Sequence, residues 1–305
     1  RCVPFALGSE TWGSIVTPAS YCGVSGLRPT YGRVSRHGAM ALSWTLDKIG
    51  PLCRSADDCG LVLGAIAGAD PADPTTISAR YRYSNERDRV TGFRLGVLRE
   101  GLDVMQPEVK NNFEIALRVL REVATCEEVT LPDYPYAEIA TLVIRAEGAA
   151  AMEELAERND FAALTAPEDR IGAYAGSAVP AVDYLRAQRI RRHASIALDA
   201  LFARYDAVVA PSTGLVASPL TRRFDEYNGK LRRLMLGAAG NIAGLPGISV
   251  PNGYGERGLP TGLQFVGRAG SENRILAVSR VYQERSTWHR ERPAIAAQTH
   301  SAGTS

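Results

Sequence analysis

Four short, mostly apolar runs constrain this chain most: Phe93–Leu98, Asp206–Ala210, Gly247–Val250 and Gly262–Val266. Their apolar residues fall at adjacent positions, which puts them on both faces of an extended chain. That pattern reads as strands covered on both sides. Residues 3–7 read as another buried strand, and Glu128 to Leu131 as a further one. Between these runs lie segments with apolar residues at helical spacing. After Pro107, a residue suited to a first turn, come Val109, Phe113, Ala116, Leu117, Leu120 and Val123. Ser55 followed by Asp57 and Asp58 opens a helix with an expected apolar face of Leu61, Val62, Ala65 and Ile66. Other helices are expected over 136–158, 182–205 and 272–286, and just before Gly244. Strands alternating with helices give an α/β fold around a largely buried sheet. The segment from Ala294 to Ser305 is small, polar and aperiodic, and reads as a disordered tail.

Composition excludes several classes. At 305 residues the chain fits two domains or one large α/β domain. Lys and Arg number 35 against 33 Asp and Glu, so the charge pattern gives no reason to expect nucleic acid or a membrane surface. No apolar run approaches the ~18 residues that span a bilayer. Five cysteines without a C-x-x-C pair or a Cys/His cluster read as reduced thiols, and the expected location is cytoplasmic. No H-E-x-x-H or comparable constellation exists, so neither a metal nor a cofactor is expected.

The chemistry concentrates between Gly8 and Gly32. Attack on a carbonyl needs a nucleophile, a base, and donors for the developing oxyanion. The loop Thr11-Trp12-Gly13-Ser14 can supply the first and the third. Glycine admits close backbone approach, and successive N–H groups in a turn make an anion-binding concavity. On these residues alone, a serine capping a turn is the simpler reading. Gly8 to Ser14 has the glycine spacing of a P-loop, but Ser14 stands where its lysine belongs. Gly23-Val-Ser-Gly26 lacks the spacing of a nucleophile elbow. A triad of Ser14, His37 and Asp47 can be written, but a loop histidine beside a structural aspartate is the favoured reading.

Several segments together resemble the amidase signature family. Ala6 to Ile15 is similar to its nucleophile loop, and Cys22 to Ser35 to the segment that follows. Leu46-Asp-Lys-Ile-Gly-Pro51 and Arg54-Ser-Ala-Asp-Asp58 match the next landmarks. Asn241 to Pro251 and Gly258 to Gln264 look like its closing strands, and Trp288 to Pro293 like a common ending. The resemblance implies a single α/β/α domain around a large mixed β-sheet over residues 1–293. It implies an amidase that cleaves a small-molecule carboxamide to an acid and ammonia or amine through a seryl acyl-enzyme. Ser14 would be the nucleophile, with the backbone N–H groups of Thr11, Trp12, Gly13 and Ser14 as the oxyanion hole. A homodimer is left open. A second implied reading is the A subunit of a tRNA-dependent amidotransferase, which releases ammonia from glutamine. A non-catalytic binding protein is the third.

The sequence also departs from the family. There, a lysine and a bridging serine upstream of the nucleophile supply proton transfer, and desolvation suits a lysine to that task. Neither lies within the thirteen residues before Ser14, and the chain opens on Arg1. The expectation is a fold incomplete at its N-terminus, an exposed edge strand, and an aggregation-prone fragment with little activity of its own. Of Lys48, Lys110 and Lys230, none stands in the base context. Trp12 replaces a frequent glycine and could narrow or reshape the acyl pocket, with packing as the simpler role. Val16 replaces a frequent arginine and loses a charge-assisted contact, so a partner acid should be either absent or differently paired.

Overall fold

The computed structural model describes residues 3–83, 90–223, 226–227 and 235–292. Eight strands form one sheet: β1 (Phe5–Glu10), β2 (Ser25–Arg28), β3 (Lys48–Cys53), β4 (Phe93–Leu98), β5 (Ala124–Val129), β6 (Ala207–Pro211), β7 (Gly247–Tyr254) and β8 (Pro260–Val266). Their order is β1-β3-β2-β7-β8-β6-β4-β5. β4 runs parallel to both β5 and β6, and the remaining pairs are antiparallel. The large mixed sheet agrees with the expected α/β fold.

The described helices are α1 (Val16–Cys22), α2 (Ala56–Ile66), α3 (Pro107–Arg121), α4 (Tyr136–Ala151), α5 (Glu153–Glu157), α6 (Pro167–Gly176), α7 (Ala181–Phe202), α8 (Met235–Ile242) and α9 (Glu272–Ser286). Two core clusters lie on opposite faces of the sheet. Helices α2, α3 and α9 cover one, packing Leu63, Phe113, Leu117 and Val278 against Leu27, Leu95, Ile248 and Phe265. Helices α4, α7 and α8 cover the other, packing Ile139, Leu198 and Ile242 against Leu98, Val208 and Val266. Alternation along each strand sends neighbouring residues into different cores.

Several expectations hold in detail. β4 and α9 have the expected bounds, and α3 buries Val109, Phe113, Ala116, Leu117 and Leu120. Ser55 caps α2, its side chain accepting from the Asp58 N–H. Other expectations need correction. The α2 face is rotated: Cys59 and Leu63 are buried, whereas Leu61 is 62% exposed. The strand expected at 128–131 lies earlier, as β5. The helix expected over 136–158 is broken at Met152 into α4 and α5, and α6 has no counterpart among the expected helices. Residues 3–7 are not a buried strand. β1 is an edge strand, with Val3, Phe5 and Leu7 exposed, because among the described residues it pairs only with β3. The expected tail, 294–305, lies outside the described residues.

Candidate active site

β1 ends at Glu10 and delivers the chain into a loop, residues 11–15, that turns into α1. Gly13 has φ +93°, a left-handed conformation that a Cβ would strain. Its carbonyl accepts from Thr17 N at 2.8 Å, which starts the helical turn. The turn leaves Ser14 exposed while Ile15 and Val16 are buried on either side of the α1 entrance. Ser14 Oγ has no hydrogen-bond partner among the described residues. No turn or loop hydrogen bond among them uses the backbone N–H of Trp12, Gly13 or Ser14. Trp12 is half-buried against the α4/α7/α8 core, which fits its packing role.

The loop is clamped at both ends by carboxylates. Glu10, fully buried, accepts from Ile15 N at 2.9 Å and Val16 N at 3.0 Å through one oxygen. Its other oxygen accepts from Arg28 Nη1 and Asn241 Nδ2, both at 2.8 Å. Burial alone pushes the Glu10 pKa up; the Arg28 guanidinium and the Lys48 amine outweigh it and bring the pKa to about 2. At the other end, Asp47 accepts from Thr11 Oγ1 at 2.6 Å and from Leu42 N and Ser43 N at 2.9 Å. Glu147 on α4 holds the same 42–45 segment, accepting from Ser43 Oγ and Thr45 Oγ1. Arg191 on α7 joins Thr45 to the Ile242 carbonyl of α8. The hydrogen-bonded path thus closes on itself, from Thr11 through α4, α7 and α8 back to Glu10.

Arg28 is also fully buried, and its position depends on glycine. A Cβ at Gly240 or Gly247 would lie 2.7 Å from Arg28 Nη2. The guanidinium donates to Leu245 O at 3.0 Å and to Glu10. The acid beside the loop, Glu10, is thus paired with Arg28, and Val16 contributes its backbone N–H to the same carboxylate.

The triad of Ser14, His37 and Asp47 does not assemble. His37 is exposed and shares an open cleft of 190 Å³ with Asp47, Ser9, Arg36 and Trp44, and Ser14 is not in its lining. The Asp47 carboxylate is committed to Thr11, Leu42 and Ser43 rather than to His37. Nor does a described lysine reach Ser14: Lys48 Nζ donates to Asn241 Oδ1 and Lys110 Nζ to Asp103 O, both at 2.8 Å. Among the described residues no group of side chains is arranged to hold a metal ion, and no helix is long and apolar enough to cross a membrane.

A family model described as Amidase matches residues 1–276. The chain belongs to the amidase signature family. It is 38% identical to the A subunit of a glutamyl-tRNA(Gln) amidotransferase from Roseiflexus sp. (strain RS-1), over 95% of this chain and 65% of the relative. The native peptide amidase of Stenotrophomonas maltophilia superposes with a TM-score of 0.77 at 32% identity, over 93% of this chain and 63% of that one. A structure described as a vestigial protein complex revealing the origins of an s-triazine catabolic enzyme superposes with a TM-score of 0.83 at 32% identity, with the same coverage. This amidase-family chain therefore spans slightly less than two thirds of the length of the proteins it matches.

Sequence reasoning missed Glu10, Arg28, Asn241 and Glu147 as parts of the site. The available signal was charge at the ends of buried strands: Arg28 closes β2 and Lys48 opens β3, and both are buried. A buried charge must be paired, so each such residue implied a partner.

Proposed function

We propose that this chain carries the nucleophile and oxyanion half of an amide-hydrolysing site acting on a small-molecule carboxamide. Ser14 Oγ attacks the carbonyl carbon and gives up its proton. The carbonyl oxygen takes negative charge and is held by the N–H groups of Thr11, Trp12, Gly13 and Ser14. Collapse breaks the C–N bond, the amine or ammonia leaves with a proton, and water then cleaves the Ser14 ester to the acid. The observation that supports this most is the contrast within the loop. Its flanks are tied down by Glu10 and Asp47, while Ser14 Oγ and the N–H groups of residues 12–14 are left uncommitted among the described residues. Fixed donors around an unengaged hydroxyl are what a preorganised acyl-transfer site requires.

The general base is not assigned to Lys48, Lys110 or His37, each of which is placed elsewhere. The test is turnover of aryl and aliphatic amides by residues 1–305 and by the full-length gene product, each with and without Ser14→Ala. Hydrolysis that survives Ser14→Ala overturns the reading. Full activity in residues 1–305 alone, lost in Ser14→Ala, would keep Ser14 and return His37 to consideration as the base. The 38% identity to an amidotransferase A subunit favours one further assay. Glutamine-dependent ammonia release that requires an added partner subunit would identify glutamine as the amide.

A further inference from the structure

Lys48 lies behind the site and is 2% exposed, opposite Glu10 in the β1–β3 register. Lysine is a costly filler here, since an apolar side chain of similar volume would occupy the space without desolvating an amine. Its one side-chain hydrogen bond among the described residues points to a task. Lys48 Nζ donates to Asn241 Oδ1, and this fixes which way the Asn241 amide faces. With the oxygen on Lys48, Nδ2 is free to donate to Glu10 Oε1. Reversed, the amide would set N–H against amine and oxygen against carboxylate. Glu10 in turn holds the N–H groups of Ile15 and Val16, the residues directly after Ser14. Arg28 holds Glu10 directly through Nη1 and Leu245 O through Nε, and among the described residues it makes no hydrogen bond to Asn241.

We propose that Lys48 is a positioning residue for the oxyanion loop, acting through Asn241 and Glu10. The inference rests on Ser14 being the nucleophile. Burial is the largest influence on the Lys48 amine and lowers its pKa well below the ordinary value. Arg28 and Arg191 lower it further, and Glu10 and Asp47 act against them. A neutral amine still has N–H groups to donate, so the link to Asn241 is kept in either protonation state.

The experiment uses the full-length gene product and an aryl amide substrate. A loop displaced by a fraction of an ångström slows chemistry more than binding. Lys48→Met is expected to lower kcat by about ten- to a hundredfold while KM stays within about twofold, with an unchanged or raised melting temperature. Asn241→Leu should lower kcat similarly, and the double variant should be no slower than the slower single, because the two act as one unit. Should Lys48→Met lose its cooperative melt, Lys48→Val, suited to a strand, is read in its place. Wild-type kcat in the lysine variant overturns the proposal, as do losses that multiply in the double variant. Ser14→Ala separates the two levels. Activity that persists in it defeats the nucleophile reading. Activity lost in it but normal in Lys48→Met defeats only the role of Lys48.

Discussion

The two faces of the sheet are built on opposite terms, although they share the same strands. One row of paired residues, Leu27, Ile248, Phe265, Val209 and Val97, is wholly apolar and meets α2, α3 and α9. The neighbouring rows point the other way and read Gly26, Ser249, Gln264, Ala210 and Arg28, Gly247, Val266, Val208. The first face is a conventional core. The second carries Arg28, Lys48, Glu10 and Asn241, all at most 2% exposed, beneath the loop of Ser14. Among the described residues, its Arg28 Nη2 and Gln264 Nε2 have no hydrogen-bond partner, and an unpaired buried donor costs ~1–3 kcal/mol. The difference teaches that stability and site geometry are assigned to different sides. One face supplies burial, and the other gives some of it up to hold a loop in one place.

The sharpest way to break this comparison is Ser14→Ala. Hydrolysis by the full-length protein should fall by ~10³-fold or more, with stability unchanged within ~0.5 kcal/mol, checked by turnover and thermal melts. Next comes a matched pair. Arg28→Met leaves Glu10 buried without its guanidinium and should cost about 3–5 kcal/mol. Phe113→Ala opens a cavity on the opposite face and should cost about the same. Denaturant melts read both costs. Only Arg28→Met should also slow labelling of Ser14 by a fluorophosphonate, measured where both variants are fully folded. Equal slowing would erase the distinction between the faces.

A smaller effect is expected in acid. The folded pKa of Glu10 is depressed from 4.5 to about 2, so its contribution to stability is complete above about 4.5 and is lost as pH falls toward 2. In Glu10→Gln that portion of the acid slope should be missing, which urea midpoints measured across the window would show. The smallest effect concerns the edge. Leu7→Lys on β1 should leave stability within ~0.5 kcal/mol while reducing the aggregation expected of an exposed apolar edge strand, read by light scattering.

Much of the fold is legible in the sequence because most elements are simple. β4, α3 and α9 announce themselves by periodicity and caps. β2 and β3 escape because they are short and carry a charge at one end, Arg28 and Lys48, and the partners Glu10 and Asn241 lie 231 residues apart in sequence. The α2 face is misleading because the helix turns Leu61 to solvent and buries the smaller Cys59 instead. β1 reads as buried because apolar content does not reveal whether a neighbouring strand exists. Ser14 can be named only through the family resemblance; its own neighbours fit a capped turn equally well.

The strand that delivers Ser14, β1, has among the described residues one hydrogen-bonded neighbour, β3, on one side only. Strands with a single neighbour open at lower free energy than those inside a sheet. Native-state hydrogen exchange should therefore show residues 5–10 released together with the loop while the amides of β7 and β8 stay protected. Mild denaturant would silence Ser14 well before the molecule melts, so that loss of reactivity and loss of fold become two separate events.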